Sequence, residues 1–281
     1  MELLHSAIYL FEILILMVLG KTIFSRLYPS TSLKVELTEK DNLSFAFAFV
    51  GFLAAIILIA GGAIEGPDTN IWHDVLEIGK FGVIGLILLW ISHVCVNKLF
   101  FSKVDLSQEI VRDQNPGAGI IQGASSLAVG MIIHASISGE NHHSMPDWLS
   151  ALVFWVIGLV LLFVALKLYF VFSKIKIQKE IERDNVAAGV ASAGLILAVA
   201  NLVRFGLDRD FHGWEDLAVD LSFECALGLI LLPLARILAD KMLLPGRSLN
   251  DEILQEKPNV GAGLIEAFTY IGTSLAITWC I

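Results

Sequence analysis

A pattern that occurs four times along this 281-residue chain determines how the chain can fold. Each copy has a charged segment containing a glutamate, then an asparagine, then an apolar stretch rich in alanine and glycine. It is clearest from Gln178 to Leu202. The repeated acids and asparagines are Glu36 and Asn42, Glu109 and Asn115, Glu180 with Asp184 and Asn185, and Glu252 with Asn259. The asparagines lie 73, 70 and 74 residues apart, and a nearly constant period of this length indicates tandem structural units.

Each unit also has a first half, which is a long apolar run. A glycine recurs at matching depth in three of these runs, as Gly85, Gly158 and Gly228, and a cation follows in all four, as Lys21, His93, Lys167 and Arg236. The unit is therefore predicted to be a helical hairpin, in which a short charged loop joins two helices. The four units span residues 1–70, 71–143, 144–211 and 212–281 of one domain that covers residues 1–281.

The apolar runs are long enough to cross a bilayer. The chain is 56% hydrophobic and 17% charged, whereas soluble domains have about a quarter charged residues. Runs of about 20 apolar residues match a hydrocarbon core of roughly 30 Å. The predicted fold is therefore an all-α polytopic membrane protein, with eight transmembrane helices in four tandem hairpins. The predicted helices are 3–24, 41–64, 76–101, 116–138, 148–173, 185–206, 216–243 and 259–280. The first run has no basic leader or cleavage site, so it is expected to be retained.

The cations predict an orientation in the membrane. All of the 19 lysines and arginines except Lys80, Arg204 and Arg209 lie in or near the loops inside the hairpins. Because Lys and Arg accumulate in cytoplasmic loops, these loops are predicted to be cytoplasmic and both termini to be periplasmic. Four tryptophans are expected to form a belt at the outer interface: Trp72, Trp148, Trp214 and Trp279.

Polar residues inside the runs form the candidate site. Seven residues after each asparagine, the four units have Phe49, Gln122, Ser192 and Glu266; nineteen residues after it, they have Gly61, His134, Arg204 and Thr278. Polar side chains in spanning helices face the bundle interior or a water-filled cavity. The sequence therefore predicts an asymmetric polar path between repeats, lined by Glu12, Gln122, His134, Ser192, Asn201, Glu224 and Glu266. For Glu12, a functional role and a plain interhelical contact both stay open.

The repeated asparagine has two interpretations. Asparagine is a strong helix N-cap, and this structural role is favoured. The functional alternative is a ring of four glutamates and four asparagines at the cytoplasmic mouth, which would attract cations. The small residues that follow, such as Gly119 and Gly123, occur at helical spacing. They predict that the second helices of the hairpins form a tightly packed inner layer.

The sequence has no clear signature of metal binding, cofactor binding, catalysis or nucleic-acid binding. Glu140, Asn141, His142 and His143 could bind a metal in an outer loop, but a solvated polar loop is favoured, so no metal site is predicted. No cofactor is expected, and the chain is not expected to be an enzyme because it has no nucleophile–base pair or phosphate loop. The basic residues are interleaved with acids, which argues against a nucleic-acid partner. The bilayer is the expected partner, with a homo-oligomer and a cytoplasmic protein as open alternatives.

The repeated Glu-Ile-x-Arg-Asp-Asn-x-Ala-Ala-Gly pattern of residues 180–189 resembles a bacterial inner-membrane family, domain of unknown function 350 (YjfL-like). The resemblance covers all four units and is weakest over residues 1–64. It implies an inner-membrane location but no assigned activity. Two functions stay open. One is ion or small-solute permeation along the polar path. The other is a membrane scaffold or regulatory component that recruits a cytoplasmic partner through charged loops such as residues 174–183.

Overall fold

The protein is an array of antiparallel helices. The computed structural model describes residues 2–65, 70–138, 145–172, 176–209, 211–244 and 246–281. Its long helices are α1 (Glu2–Leu27), α2 (Leu43–Ile64), α3 (Ile71–Leu99), α5 (Pro116–Ser138), α6 (Asp147–Phe172), α8 (Val186–Leu207), α9 (Trp214–Met242) and α11 (Val260–Cys280). Its short helices are a π-helical turn (Val35–Glu39), α4 (Leu106–Val111), α7 (Ile177–Ile181) and α10 (Leu249–Leu254).

The prediction of eight membrane-spanning helices is confirmed for the described residues. The largest difference in a boundary is at α3, which begins at Ile71 and not at residue 76. Asn70 caps this helix, because its side-chain oxygen accepts a hydrogen bond of 3.0 Å from the Trp72 amide. Pro233 lies inside α9, which continues through it. The turn predicted at residues 66–68 and the polar segment 140–143 lie outside the described residues.

The charged connections inside the hairpins contain short helices, although the sequence predicted plain loops. In α4, the Asp105 carboxylate accepts hydrogen bonds from the amides of Ser107 and Gln108, so a local N-cap starts the helix. Each short α-helix buries two apolar side chains, and one of the two is the isoleucine of the repeated pair: Ile110, Ile181 and Ile253. The repeated Glu-Ile pair is therefore a helical element in which the isoleucine anchors the connection to the core.

The long helices form two layers. Helices α2, α5, α8 and α11 pack in that order as one row, and α1, α3, α6 and α9 pack against it. Helices α5 and α8, in the middle of the row, are the most buried, whereas α1 and α9 are the least. The predicted arrangement, with the second helix of each hairpin inside and the first outside, is confirmed.

Small residues set the spacing of the inner row. A Cβ atom on Gly123 of α5 would lie 2.5 Å from the carbonyl oxygen of Phe47 in α2, and one on Gly189 of α8 would lie 2.6 Å from the Cα of Gly117 in α5. Only glycine permits backbones to approach this closely. The glycine and alanine pattern that the sequence showed is therefore the contact surface between successive hairpins.

The two outer faces of the row have larger side chains at the corresponding positions. Val50 of α2 is 62% exposed and occupies the position of Gly123, Ala193 and Ala267 in the other three helices. Phe268 of α11 is 69% exposed and occupies the position of Gly51, Ala124 and Gly194. No substantial contact joins α2 to α11 in the described residues. The row is therefore open, and the repeated glutamates and asparagines lie along a line, not around the ring that the functional alternative required.

Candidate functional site

The repeated asparagines are helix N-caps, which confirms the structural interpretation. The Oδ1 atom of Asn42 accepts a hydrogen bond of 3.1 Å from the amide of Phe45, and that of Asn185 accepts one of 3.0 Å from Ala188. The equivalent bonds from the amides of Ala118 and Ala262 reach Asn115 and Asn259, and Asn259 also accepts one from the amide of Gly261. Each inner helix therefore begins with the same cap, and we call the end of the bundle that carries these residues the asparagine end.

Each asparagine also bonds the glutamate of its own hairpin. The Nδ2 group donates to a carboxylate oxygen at 2.7 Å for Glu36, 3.0 Å for Glu109, 2.8 Å for Glu180 and 2.9 Å for Glu252. The backbone amide of each asparagine donates to the carbonyl of the same glutamate. The repeated glutamate is therefore the partner that fixes the orientation of the asparagine amide.

The second Nδ2 hydrogen joins successive hairpins. Asn42 donates to the carbonyl of Ile110 at 2.9 Å, Asn115 to Ile181 at 2.8 Å and Asn185 to Ile253 at 2.9 Å. Asn259 belongs to the last hairpin and is exposed. We call the cap, the glutamate bond and the bond to the next hairpin together the asparagine joint. The joint uses both amide hydrogens and the amide oxygen of the side chain, so these residues hold the array together.

The residue before three of the asparagines has a left-handed backbone. Asp41, Gln114 and Asp184 have φ angles of 51°, 53° and 56°. This conformation is uncommon for residues other than glycine, although aspartate is enriched there. In the last hairpin Pro258 precedes Asn259, and the ring of proline excludes positive φ. Asp184 therefore has a backbone role in turning the chain into the joint.

The pKa values of two equivalent glutamates at the asparagine end, Glu36 and Glu109, are shifted in opposite directions. Burial raises the pKa of Glu36, but hydrogen bonds from Lys40, Thr31 and Asn42 and the charge of Lys40 outweigh burial and lower it overall. The pKa of Glu109 is raised, first by burial and then by nearby acids such as Asp113, although the Asn115 hydrogen bond partly offsets this. The first joint therefore stabilises the ionised form of its glutamate relative to water, and the second destabilises it.

A hydrogen-bonded chain links the last two hairpins. The Arg236 guanidinium donates to Glu266 at 2.8 Å and to Asn250 of α10 at 2.7 Å. The Tyr270 hydroxyl donates to the same Glu266 oxygen at 2.9 Å and contacts the Tyr169 hydroxyl at 2.5 Å. Glu266 is 1% exposed and its second carboxylate oxygen has no partner among the described residues. The chain therefore leads from the asparagine end into the buried middle of the bundle.

A second polar cluster lies toward the opposite end of the same hairpins. Arg209 donates to Glu224 at 2.8 Å and lies 3.4 Å from Asp220. Glu224 is fully buried, and it lines a cavity of about 20 Å³ together with Tyr169. A cavity of 10–15 Å³ or more can hold a water molecule. The cavity is therefore large enough for one water between the two polar clusters.

A third cluster lies in the second hairpin. The amide nitrogen of Gln122 is 3.3 Å from Nδ1 of His93, and that of Asn97 is 3.2 Å from Nε2. His93 and Gln122 occupy the same repeat positions as Arg236 and Glu266. The two residues that the repeat places at matching depth therefore meet within one hairpin, between its outer and inner helix. They do not line a surface shared by all four units.

The other predicted path residues are separate from these clusters. His134 contacts the carbonyl of Leu58 at 3.0 Å and the Glu65 carboxylate at 3.3 Å, near the end opposite the asparagines. Glu12 of α1 is half-buried, whereas Ser192 and Asn201 of α8 are buried. Among the described residues, no hydrogen bond joins any two of the seven predicted path residues.

Unpartnered polar atoms mark the same residues. In the described part of the chain, a buried side-chain atom without a hydrogen-bond partner occurs in Glu12, Asn97, Gln122, Ser192, Asn201, Glu224 and Glu266. All of these except Asn97 belong to the predicted path. Such an atom costs about 1–3 kcal/mol unless water or a ligand satisfies it.

Sequence reasoning did not place Asn97, Tyr169, Tyr270 or Arg209 in a site. The matching depth of the repeated cation and of the residue seven positions after the asparagine could have paired Arg236 with Glu266. Tyr169 and Tyr270 are 101 residues apart, so neither the repeat nor helical spacing links them. They could be found only after the order of the helices in the array was known.

Two further features do not form polar sites. A cavity of about 770 Å³ is an open apolar groove between α9 and α11, with Phe268 and Gly272 on its wall. Across the residues that the structure describes, no group of three His, Cys, Asp or Glu side chains could hold a metal. His142 and His143 lie outside those residues.

Comparison with known proteins identifies the family. The family model described as Domain of Unknown Function (DUF350) matches residues 1–137 and again residues 143–281. A relative described as a UPF0719 transmembrane protein, from Aquifex aeolicus (strain VF5), is 22% identical over 262 residues, which cover 92% of this chain and 93% of that protein. No solved structure matches the chain. Because the two segments together cover nearly the whole sequence, the chain belongs to the DUF350 family of membrane proteins.

Proposed function

We propose that this protein conducts protons across the membrane through the polar side chains of its last two hairpins. The observation that carries this proposal is the hydrogen-bonded series Asn250, Arg236, Glu266, Tyr270 and Tyr169. This series ends beside the cavity that Tyr169 shares with Glu224, and Glu224 is bonded to Arg209 near the opposite end. Together these groups span most of the bundle.

The chemistry of these groups suits proton transfer. A tyrosine hydroxyl both donates and accepts a hydrogen bond, so Tyr270 can release its proton to Glu266 and take another from Tyr169. Tyr169 is then reprotonated by a water in the adjoining cavity, and Glu224 supplies that water with a proton. Both tyrosines and the water then hold their original protons, while Glu266 has gained one proton and Glu224 has lost one. The cycle closes when Glu266 releases its proton toward the asparagine end and Glu224 takes one up from the opposite side. Intramembrane acids linked in this way are typical of proton relays.

The unpartnered atoms favour a positively charged or protic species. The free atoms of Glu12, Asn97, Gln122, Glu224 and Glu266 are all oxygens that accept hydrogen bonds. Leaving such acceptors dry inside a bilayer is costly, whereas water or a proton satisfies them. The Asn201 amide nitrogen is an unpartnered donor and the Ser192 hydroxyl can donate or accept, so acceptors outnumber donors among the unpartnered atoms. This excess of acceptors supports permeation of protons more than permeation of anions.

The orientation completes the proposal. We infer that the asparagine end is cytoplasmic and that both termini are periplasmic, because the cations concentrate at the asparagine end. The exposed Trp72, Trp148, Trp214 and Trp279 lie at the opposite end of the helices, as an outer interfacial belt would. In a bacterial inner membrane this orientation makes Glu224 the group nearest the periplasmic entry and Glu266 the group that releases protons toward the cytoplasm, with Arg236 and Asn250 holding Glu266 in place.

Proton flux in proteoliposomes tests this function. Tyr270→Phe removes one oxygen atom and breaks the series, so we expect at least a tenfold loss of flux under an imposed pH gradient. Tyr9→Phe is the matched control, because the Tyr9 hydroxyl bonds Asp74 outside the series, and it should retain wild-type flux. Circular dichroism and size-exclusion chromatography confirm folding of both variants.

The outcomes separate the two candidate functions. Equal flux in Tyr270→Phe and wild type would contradict the proposed route. Absence of flux in the wild-type protein would contradict conduction itself, and the scaffold that recruits a cytoplasmic partner would then be the function to pursue. Charge reversal at Lys179 and Arg183 should in that case release a co-purifying protein.

A further inference from the structure

His134 joins α5 to α2 at the end of the bundle opposite the asparagine end. Its Nδ1 atom lies 3.0 Å from the carbonyl oxygen of Leu58, and its Nε2 atom lies 3.3 Å from a carboxylate oxygen of Glu65, which caps the C-terminus of α2. Gly62 allows this approach, because a Cβ atom there would lie 2.8 Å from the carbonyl oxygen of His134. Both ring nitrogens therefore face oxygen atoms from the same neighbouring helix and its cap.

These two oxygens determine which form of the ring fits. A backbone carbonyl and an ionised carboxylate can only accept hydrogen bonds, whereas a neutral imidazole has one donor nitrogen and one acceptor nitrogen. With a neutral ring beside ionised Glu65, one bare ring nitrogen therefore faces an oxygen that cannot donate to it. One additional proton lets the pair form both hydrogen bonds. The ring holds this proton, because imidazole binds a proton more tightly than a carboxylate does.

The pair is open to water on one side. The side chain of His134 is 12% exposed, whereas that of Glu65 is 59% exposed. A carboxylate within about 4–6 Å favours the charged form of a histidine, and its contact with water leaves it ionised. Protons therefore reach the pair from the aqueous side without crossing the bundle.

Other charged groups at this end belong to the helices packed against α5. Helices α2 and α5 contain no titratable side chain besides His134. The titratable residues at this end of the other packed helices are His73, Asp74, Glu77 and Lys80 of α3, Asp147 of α6, and Arg204 and Asp208 in or directly after α8. Three of the acids have other partners, since Glu77 bonds Lys80, Asp208 bonds Arg204 and Asp74 accepts from Tyr9. Glu65 is therefore the acid that pairs with the ring.

We propose that His134 and Glu65 form a proton-binding site that fastens the first hairpin to the second. The third hairpin has Arg204 at the repeat position of His134, and its permanent charge pairs with Asp208, which also accepts from Ser138 of α5 at 3.3 Å. The link between α5 and α8 at this end therefore persists at neutral pH and above, whereas the link between α2 and α5 strengthens when the ring binds a proton. The site lies outside the conduction series and exists whether or not protons cross there.

Nitrogen NMR of the full-length protein tests the site directly. The protein is labelled with ¹⁵N-histidine and reconstituted in lipid bilayers, and the His134 signals are assigned by their loss in His134→Gln. On acidification from about pH 9 to about pH 5.5, the ring should change from the neutral tautomer protonated at Nδ1 to protonation of both nitrogens. A neutral ring protonated at Nε2, or a ring that stays neutral at about pH 5.5, would overturn the proposal.

Glu65→Gln tests the partner of the ring. It removes the negative charge and keeps the size of the side chain, and the exposure of Glu65 at a helix end means that the variant should fold. We expect the proton affinity of His134 to fall about fivefold. Asp208→Asn is the matched control, because it removes an acid at the same end that does not contact His134, and it should leave the titration unchanged. Identical titrations of wild type and Glu65→Gln would contradict the site.

Stability in mixed micelles tests whether the site fastens the hairpins. The stabilisation should be present in acid and lost as the pH rises and the ring releases its proton. At about pH 5.5, the effects of Glu65→Gln and His134→Gln on the unfolding equilibrium constant should be coupled about fivefold, and at about pH 9 they should be additive. Additive effects at both pH values would contradict the fastening. If His134→Gln does not fold, a larger effect of Glu65→Gln at the lower pH supports it and an equal effect contradicts it. None of these readouts requires flux, so they remain interpretable if the conduction proposal fails.

Discussion

The asparagine joint makes a quantitative prediction, because the chain contains its own control. Asn185 is 2% exposed and forms all three bonds, to Ala188, Glu180 and Ile253. Asn259 is exposed and forms the cap and the glutamate bond at the end of the array. Substituting each with alanine therefore compares a joint between hairpins with a cap at the free end.

The magnitude follows from the bonds that are lost. Replacing an N-cap asparagine with alanine costs about 1 kcal/mol. In Asn185→Ala, the buried Glu180 carboxylate and the Ile253 carbonyl each also lose a donor, at about 1–3 kcal/mol per group. We therefore expect Asn185→Ala to lower the free energy of unfolding by about 5 kcal/mol. Asn259→Ala should lower it by about 1 kcal/mol, because water reaches the groups left behind.

Unfolding by sodium dodecyl sulfate in mixed micelles, followed by far-UV circular dichroism, measures both variants. Asn185→Asp adds a sharper test, since aspartate caps helices as well as asparagine does but cannot donate to Glu180 and Ile253. It should destabilise the protein at least as much as Asn185→Ala. Equal effects of alanine at positions 185 and 259, or a neutral Asn185→Asp, would refute the joint.

Further predictions concern charge and packing. Glu36→Gln should lower stability at neutral pH by about 1–3 kcal/mol, and Glu109→Gln should not lower it. The pKa of Glu36 is lowered in the folded protein, so its ionised form adds stability above pH ~4.3, and this stability is lost as the pH falls through the folded-state pKa. The pKa of Glu109 is raised, so its ionised form lowers the stability above pH ~4.3. Unfolding at pH 4 and pH 7 checks both, and a pH-independent effect of Glu36→Gln would contradict the first. Gly123→Leu should prevent folding because it collides with the α2 backbone, whereas Val50→Leu, at the equivalent position on the outer face, should be neutral, as monodispersity in size-exclusion chromatography would show.

The membrane fold could be predicted from the sequence because its signals are local and repeated. A sufficiently long apolar run indicates a membrane-spanning helix wherever it occurs, and the period of about 70 residues defines the helical hairpin as the repeated unit. The small residues of α5 and α8 indicated the inner layer because close backbone approach requires them. The sequence also contains a signal for the open row of inner helices, because Val50 and Phe268 replace small residues on the two helices at the ends of the row.

The contacts between hairpins could not be predicted from the sequence in this way. The bond from Asn185 to Ile253 joins a side chain to a backbone carbonyl 68 residues later, and any residue could supply that carbonyl. The sequence identified Glu266 and Glu224 as polar path residues, but their partners Tyr270, Tyr169 and Arg209 come from other turns and helices. The prediction of a common path at equivalent depths assumed a shared interior, whereas in the two-layer row Gln122 and Glu266 contact the outer helix of their own hairpin and His134 contacts α2.

Proton conduction by the last two hairpins is the central claim, and one measurement tests it most directly. Proteoliposomes with a potassium diffusion potential set by valinomycin and a pH-sensitive dye inside report the proton flux that the potential drives. We expect wild-type protein to pass protons faster than protein-free vesicles, and Glu266→Gln to reduce the flux to the protein-free level. Wild-type flux equal to that of protein-free vesicles at every potential would contradict the account.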